Sequence, residues 1–428
     1  MSAPVTRQPQ RRGACPGLSA PMPTGDGLLA RLLPTDTISL ATFVALCEAA
    51  RTYGNGIVEV TSRSSIQVRG LSETSALQFA DAIAALDIAA EDGVPVLCNA
   101  LAGLDADEIF DSASFAENLR QHIARRDIAS RLSPKVSIVI DGGGAIGLDA
   151  VAADIRLRAE KRHSDIMLDV SVGGDHNHAS KLGSIAPIHG VEAVIGLLDV
   201  IARHGSETRA RGVLAAEGTK AFRVAISGLD PALESRLRGI ERNTPIGTFQ
   251  LRDGTYAVGI GLAFGHADST ALNRLIDAAD AAGVIGLRTA PGRALLAIGL
   301  APDRAAAFAT QAERLSFVTR ADDPRRRVIA CAGAPICASA HIASRALAPA
   351  IAGDIAEHFA GTIHISGCAK GCAHAASAVL TVVGTAEGCA LIANGTVRHA
   401  PFAVVPESEL RVAVKGYVRE SNKEAAHV

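Results

Sequence analysis

Four of the eight cysteines fall in two tight pairs, Cys331-x5-Cys337 and, thirty residues further on, Cys368-x3-Cys372. A four-iron cluster needs four thiolates converging on one cuboid, with backbone wrapped closely around it. The spacers suit that task. Ala332-Gly333-Ala334-Pro335-Ile336 and Ala369-Lys370-Gly371 are small residues with Gly and Pro, made for tight turns and close approach. Structural zinc favours spacers of two to four residues in both knuckles, so the x5 pair speaks against it. Four unrelated core thiols is the bland alternative. The pattern predicts a [4Fe–4S] cluster on Cys331, Cys337, Cys368 and Cys372. Cys15, Cys47, Cys98 and Cys389 are scattered, with Cys47 on a helix core face and Cys98 and Cys389 read as plain core thiols.

The elements around these cysteines are legible from periodicity. Leu28–Leu33 reads as a strand, Leu40–Tyr53 as an amphipathic helix, Ile57–Thr61 and Ser65–Arg69 as strands, and Thr74–Leu86 as a helix. The order returns in Gly254–Leu262, Ser269–Ala282, Val284–Arg288 and Arg293–Ile298. Phe43–Leu71 aligns without a gap on Leu272–Leu300, with identities at Leu46/Leu275, Ala49/Ala278, Ala50/Ala279, Gly54/Gly283, Gly70/Gly299 and Leu71/Leu300. The matched element order and glycine turns predict an internal duplication. Each repeat is followed by a second kind of unit. In the first, a strand ends at Cys98, a helix covers Phe115–Arg126, and a strand Val136–Ile140 runs into Asp141-Gly142-Gly143-Gly144. In the second, a strand Arg327–Ala330 ends at Cys331, a helix covers Ala338–Leu347, and a strand Thr362–Ser366 runs into Gly367-Cys368. The cysteines therefore sit in loops just after strands.

Composition narrows the class. At 428 residues the chain exceeds one core, so two or three domains are expected, of α/β (α+β) type. A net charge of −2 gives no global basic field for nucleic acid. The longest apolar stretches, Val284–Leu287 and Ala294–Ala301, are too short to span a membrane. Arg7, Arg11 and Arg12 precede no apolar stretch, so the N-terminus does not read as a secretory signal; a cytoplasmic location and reduced thiols are expected.

The cysteine spacing resembles that of the sirohaem sulfite and nitrite reductases, whose fold is itself duplicated. Thr61-Ser62-Arg63-Ser64-Ser65-Ile66-Gln67-Val68-Arg69-Gly70 is similar to that family's T-x-R-x-x-I-Q-x-R-G segment, and Leu101–Asp105 and Leu132–Lys135 match two more. The resemblance implies an internally duplicated sulfite/nitrite reductase-like fold, three domains with pseudo-two-fold symmetry. Its parts would be a flexible lead 1–14, ferredoxin-like half-domains 15–88 and 235–312 paired as one domain, an α/β domain 89–234 without cluster ligands, and an α/β domain 313–428 with them. In that family the last cysteine, here Cys372, also bridges cluster and sirohaem iron. Arg63 and Lys135 fall on two of its basic positions, but Val94-Pro95-Val96 stands where an arginine is expected and Ser137 where a second lysine is. Reduction of a small oxyanion needs that charge and those protons.

Longer motifs are similar to one branch, the precorrin-3B synthases: Gly13–Leu18, Pro21–Arg31, Asp141–Gly144 and the run Ile363–His374. That resemblance implies an O2-dependent monooxygenase of aerobic cobalamin synthesis. It would hydroxylate precorrin-3A at C20 with γ-lactone formation, using a [4Fe–4S] cluster, a mononuclear non-haem iron, and NADH as overall reductant. Arg63 and Lys135 become the catalytic candidates, and Arg31, Arg69, Arg156 and Arg158 the candidates for the carboxylates of the tetrapyrrole. Lys161 comes next, and Arg288 and Arg293 are weaker. His364 and His374 are candidates for a second iron or its surroundings, as is the loop Asp175-His176-Asn177-His178, although a solvated loop is favoured there. Lys370 would tune the cluster or face an electron donor. Gly142–Gly144 lacks a G-x-G-x-x-G pattern, so electrons are expected from an external donor protein rather than from NADH bound here. A sirohaem-dependent sulfite or nitrite reductase is the alternative reading, and an iron–sulfur electron carrier without its own substrate a third.

Overall fold

A computed structural model describes residues 16–91, 93–231, 244–355, 359 and 361–425. Cys15, the lead 1–14 and the proposed domain boundary at 235 lie outside the described residues. The first repeat comprises β1 (Met22–Thr24), β2 (Gly27–Leu32), α1 (Leu40–Tyr53), β3 (Ile57–Val60), β4 (Ile66–Leu71) and α2 (Glu73–Ala84). An α/β unit follows, with β5 (Val96–Cys98), α3 (Ser112–Arg125), β6 (Ile138–Asp141), β7 (Ala153–Arg162), β8 (Asp165–Gly174), β9 (Ser180–Ile185), α4 (Gly190–Arg203), α5 (Ala210–Glu217) and α6 (Lys220–Arg223). The second repeat holds β10 (Gly247–Gln250), β11 (Tyr256–Gly261), β12 (His266–Asp268), α7 (Ser269–Ala281), β13 (Gly286–Ala290), β14 (Ala294–Leu300) and α8 (Pro302–Arg314). Last come β15 (Val328–Ala330), α9 (Ser344–Asp354), β16 (Ile363–Ser366), β17 (Ala378–Thr385), β18 (Gly388–Gly395), β19 (Ala403–Val405) and α10 (Leu410–Ala425).

The repeats are duplicates down to register. Val58 pairs with Val68 and Val60 with Ile66 in the first; the aligned residues Leu287 with Ala297 and Thr289 with Leu295 pair in the second. Each repeat also lends backbone to the other. β12 pairs with β3, and Ile38, at the matching place before α1, bridges Leu287. That exchange is a pseudo-two-fold relation, and one core fills it. Phe43, Leu46 and Cys47 of α1 are buried in the same cluster as Leu272, Leu275 and Ile276 of α7. Ser39 and Asp268 cap the two helices from equivalent positions.

Two five-stranded sheets flank this centre, in the orders β5-β6-β7-β8-β9 and β15-β16-β17-β18-β19, each beginning with parallel pairs and ending antiparallel. Their central strands are buried on both faces, which explains the near-continuous apolar runs Ile138–Ile140 and Leu380–Val383. One expected element is displaced. The helix expected at Ala338–Leu347 starts at Ser344 and runs to Asp354. The alanine-rich stretch before it is taken up elsewhere, since the Ala338 N–H donates to Gly25, that of Ala340 to Cys337 and that of His341 to Gly367. No helix among the described residues is long and apolar enough to cross a membrane.

Candidate active site

The two sheet units and the paired repeats enclose a cavity of about 780 Å³, within the range of small-molecule sites. Cys331 and Cys372 line it, with Arg31, Arg63, Arg69, Lys135 and Arg293. Among the described residues, five cationic side chains thus face two acidic ones, Glu59 and Glu91. Both acids are engaged from behind, Glu59 by Arg345 and Glu91 by Arg120. The net field inside is positive and suits a polyanion.

The walls are held by hydrogen bonds across the repeat sheets. Arg69 forms a two-pronged pair with Asp26, both contacts at 2.8 Å, and lies 3.8 Å from Glu59. The opposite charge offsets the cost of burying Asp26 and leaves its carboxyl below the usual range, despite the upward push of desolvation. Gln67 lies opposite Arg31 in the β2–β4 register, its amide oxygen toward that arginine and its NH2 toward Glu59. Arg63 donates to Ser137 Oγ and to the Ala152 carbonyl, both at 2.7 Å. Pro95 and Ser137 line the cavity at the places where the reductase pattern calls for an arginine and a lysine. At these two places the wall offers a pyrrolidine ring and a hydroxyl, not positive charge.

The cysteine loops close one side. Cys331 follows β15 and its Sγ accepts the Gly367 N–H at 3.1 Å, with Ser344 Oγ at 3.6 Å. Cys337 sits in a turn closed by its own N–H to Gly333 at 2.8 Å. The β1–β2 turn presses on it from the first repeat: a Cβ on Gly25 would fall 2.3 Å from Cys337 Sγ, so only glycine fits there. The Cys372 thiol is pushed up, first by burial and further by the charges of Cys331, Cys368 and Cys337, against the pull of Arg69. Mutual repulsion of four thiolates is what bound iron relieves, so the donor set fits a four-iron cluster. Among the described residues no three His, Cys, Asp or Glu side chains close around one point as ligands of a single ion do. Thiols around a cuboid stand farther apart than that.

The histidines lie behind this wall. His364 on β16 is fully buried, and its ring meets that of His374 edge-on with centroids 5.6 Å apart. Neither nitrogen of His364, nor Nε2 of His374, has a hydrogen-bond partner. Burial pushes His364 down to about 4. No carboxylate joins the two rings into a three-ligand set among the described residues, so these residues do not fit a mononuclear iron centre.

Other expected residues lie elsewhere. Arg156 donates to the carbonyls of Val151 and Leu148, and Arg158 pairs with Asp149 and Glu160; neither lines the cavity. Both project from β7 beside Asp149 and His176, not into the cleft, and so are corrected from ligand contacts to internal pairing. Arg288 ties β13 to Asp36, Thr37 and Ala102, and Lys161 is exposed at the end of β7. The Asp175–His178 turn is closed on itself, Asp175 accepting from the Asn177 and His178 amides and contacting the His178 ring. Lys370 is exposed on the cluster loop and donates to Ser339 Oγ at 2.6 Å. Cys47 and Cys98 are core thiols, each pushed up to about 12 by burial. Glu59 and Arg345 escaped the sequence reading, because a lone strand acid and a lone helix arginine carry no motif; Asp26 lies in the Pro21–Arg31 stretch, where nothing marks it as the partner of Arg69.

The chain can be set beside known proteins. The nitrite/sulfite reductase ferredoxin-like half domain matches residues 21–86. A precorrin-3B synthase from Sinorhizobium sp is 38% identical over 421 residues, covering 97% of this chain and 90% of that protein. Sulfite reductase [ferredoxin] 2 from Mycolicibacterium paratuberculosis (strain ATCC BAA-968 / K-10) is 24% identical over 373 residues, 78% of this chain and 66% of its own length. The solved structure of the Mycobacterium tuberculosis NirA protein superposes with a TM-score of 0.72 at 17% identity, covering 92% of this chain and 80% of the other, a likeness of fold.

Proposed function

The chain belongs to the precorrin-3B synthase family, on the sulfite/nitrite reductase fold, and from that premise we propose that it hydroxylates precorrin-3A at C20 with γ-lactone formation. In that reaction one atom of O2 enters the substrate and the other leaves as water, with two electrons and two protons supplied. NADH is the overall reductant, acting through an external donor protein that docks near the exposed Lys370 face. The observation that carries the proposal is the cavity, which has room for a tetrapyrrole, a cationic surplus for its carboxylates, and Cys372 open to its interior.

When bound, the cluster supplies electrons one at a time. The chain's own residues do the rest. Arg31, Arg63 and Lys135 hold acidic side chains along one wall, and the apolar Leu97, Ile138 and Ile329 exclude water from the ring. Arg69 is reassigned from ligand contact to support: fixed by Asp26, it stands beside Cys372 as a positive charge. The domain division 15–88 with 235–312, 89–234 and 313–428 belongs to the same reading; the core shared by the two repeats supports pairing them, and each α/β unit packs a core of its own. Pro95 and Ser137 weigh against the alternative, sirohaem-dependent reduction of sulfite or nitrite.

The test is anaerobic purification, optical and EPR spectroscopy, then addition of precorrin-3A with O2 and a reductant. A four-iron signal and oxygen-dependent conversion are expected. A bound sirohaem, or no oxygen-dependent turnover, would overturn the reading.

A further inference from the structure

One cation in the cavity is built differently from the others. Arg293 lies at the tip of the β13–β14 hairpin in left-handed backbone, φ 67°. The turn facing it, Phe264-Gly265, is also left-handed, at 61° and 89°. A Cβ on Gly265 would fall 2.6 Å from Arg293 Cδ and 3.0 Å from Nε, so the turn is moulded around this side chain. Non-glycine residues in that region store strain, and strain that persists in a cavity wall points to use. The duplicated hairpin supplies a control. Its matching residue, Ser64, has nearly the same φ, 66°, and the two tips meet through the Arg63–Pro291 bridge and the Gly292 N–H to Ser62. The backbone device is common to both repeats; the long cation is on one.

The charge on Arg293 has little to answer it. Among the described residues it makes no ion pair, and its hydrogen bond, to the Ala373 carbonyl, is long at 3.5 Å. The acid that acts on it, Glu59, is already gripped by Arg345 and lies 3.8 Å from Arg69. Behind it stand His364 and His374, whose imidazole rings carry no negative charge to balance a guanidinium. A partly buried cation of this kind is costly until an anion arrives.

We propose that Arg293 is the anchor for one carboxylate of the cavity's ligand on the cluster-side wall, where its guanidinium reaches Ala373 beside Cys372. The proposal rests on the reading of the cavity as a tetrapyrrole site and deepens it. A planar fork here takes a carboxylate two-pronged and fixes which edge of an asymmetric polycarboxylate ring lies beside Cys372. It makes Arg293 a determinant of substrate orientation.

The experiment uses the cluster-loaded enzyme and precorrin-3A as probe, titrated without oxygen, in wild type, Arg293→Gln and Arg293→Lys. Kd should rise roughly 10- to 100-fold in the glutamine variant and by a smaller factor in the lysine variant, which keeps the charge and loses the fork. Ligand-free Arg293→Gln should melt no lower than wild type, because an unanswered charge has gone, while the rise in Tm on adding precorrin-3A should shrink. A Kd equal to wild type in both variants, with turnover intact, overturns the proposal. So does an unchanged Kd accompanied by a shifted cluster midpoint potential, which would make Arg293 a partner of the cluster instead. Should the glutamine variant fail to fold, the lysine variant decides by the same comparison. A wild-type enzyme that neither binds nor converts precorrin-3A fails the reading of the cavity itself, and the anchor with it.

Discussion

In the first α/β sheet the residue after the edge strand β5 is Asn99; in the second, after β15, it is Cys331. Strand order and register are the same in both sheets: Val96 pairs with Ile138 and that with Ile155, as Val328 pairs with Ile363 and that with Leu380. The two residues do the same backbone task. Asn99 Oδ1 accepts the N–H of Gly142 at 2.7 Å, and Cys331 Sγ accepts the N–H of Gly367 at 3.1 Å. Beyond that they part. Around Asn99 the loop is satisfied internally, with Glu108 accepting from Gly103 and Ser112, and Asp105 from Ala145. Around Cys331 the loops gather cysteines instead, and the Cys372 thiol is pushed up by burial and by the neighbouring Cys331, Cys368 and Cys337. One scaffold, duplicated, can end its strands in a closed polar network or in a metal-binding mouth, and only side chains at loop positions decide which.

The sharpest way to break this comparison is to truncate both residues. Cys331→Ala should abolish the cluster signal in EPR and all oxygen-dependent turnover, because three thiolates are left where four are needed. Asn99→Ala should leave cluster and signal in place and lower stability by ~1–3 kcal/mol in chemical denaturation, the cost of an unanswered buried N–H at Gly142. Loss of the cluster in Asn99→Ala, or its retention in Cys331→Ala, would mean the two loops are not counterparts.

How much of this was legible beforehand follows the same division. The cysteine spacing points to a cluster because cysteines are few and their spacers are geometrically demanding. The duplication showed because the glycine turns and several apolar helix and strand positions recur at one spacing, in the same order of elements. Arg156 and Arg158 misled because a strand arginine reads alike whether it faces a ligand or, as here, the carbonyls of Val151 and Leu148 in one case and Asp149 and Glu160 in the other. The late start of α9 was hidden because Ala338–Ala340 favours helix locally while the Ala338 N–H is claimed by Gly25 across the fold and the Ala340 N–H by Cys337 in a tight turn. Asn99 carries no motif at all; only pairing register puts it opposite a cysteine.

A smaller contrast sits one residue along the next strands. Val139 on β6 occupies the register place of His364 on β16. His364 is held down to about 4 by burial, whereas an unfolded histidine titrates near 6.5. As pH falls through 6.5 the unfolded chain takes up a proton that the folded chain refuses, so stability drops between 6.5 and about 4 and levels off below. Importing the first sheet's residue, His364→Val, should remove that loss. The fall in unfolding free energy from pH 7.5 to 5.5 should be about 1 kcal/mol less than in wild type. The difference between the two pH values is the quantity to compare, since the smaller side chain costs packing equally at both. Equal falls in the two proteins would mean that His364 is charged in the folded state.

The smallest expected effect concerns the first residues of the two helices behind these loops. Ser112 opens α3 and Ser344 opens α9, and both are fully buried. Ser112 Oγ donates to Glu108 at 2.5 Å and so belongs to the closed network. Ser344 Oγ instead stands 3.6 Å from Cys331 Sγ. Hydrogen bonds to cluster sulfurs stabilise the more negative, reduced form and raise the potential. Ser344→Ala should therefore lower the cluster midpoint by something on the order of tens of millivolts, read by EPR-monitored titration, with little change in Tm. Ser112→Ala should do the reverse, leaving the potential alone and costing ~1 kcal/mol as Glu108 loses a donor. If Ser112→Ala moves the potential as far as Ser344→Ala does, the two units are electrostatically coupled through the cavity, and the network around Asn99 is part of the redox site rather than its silent counterpart.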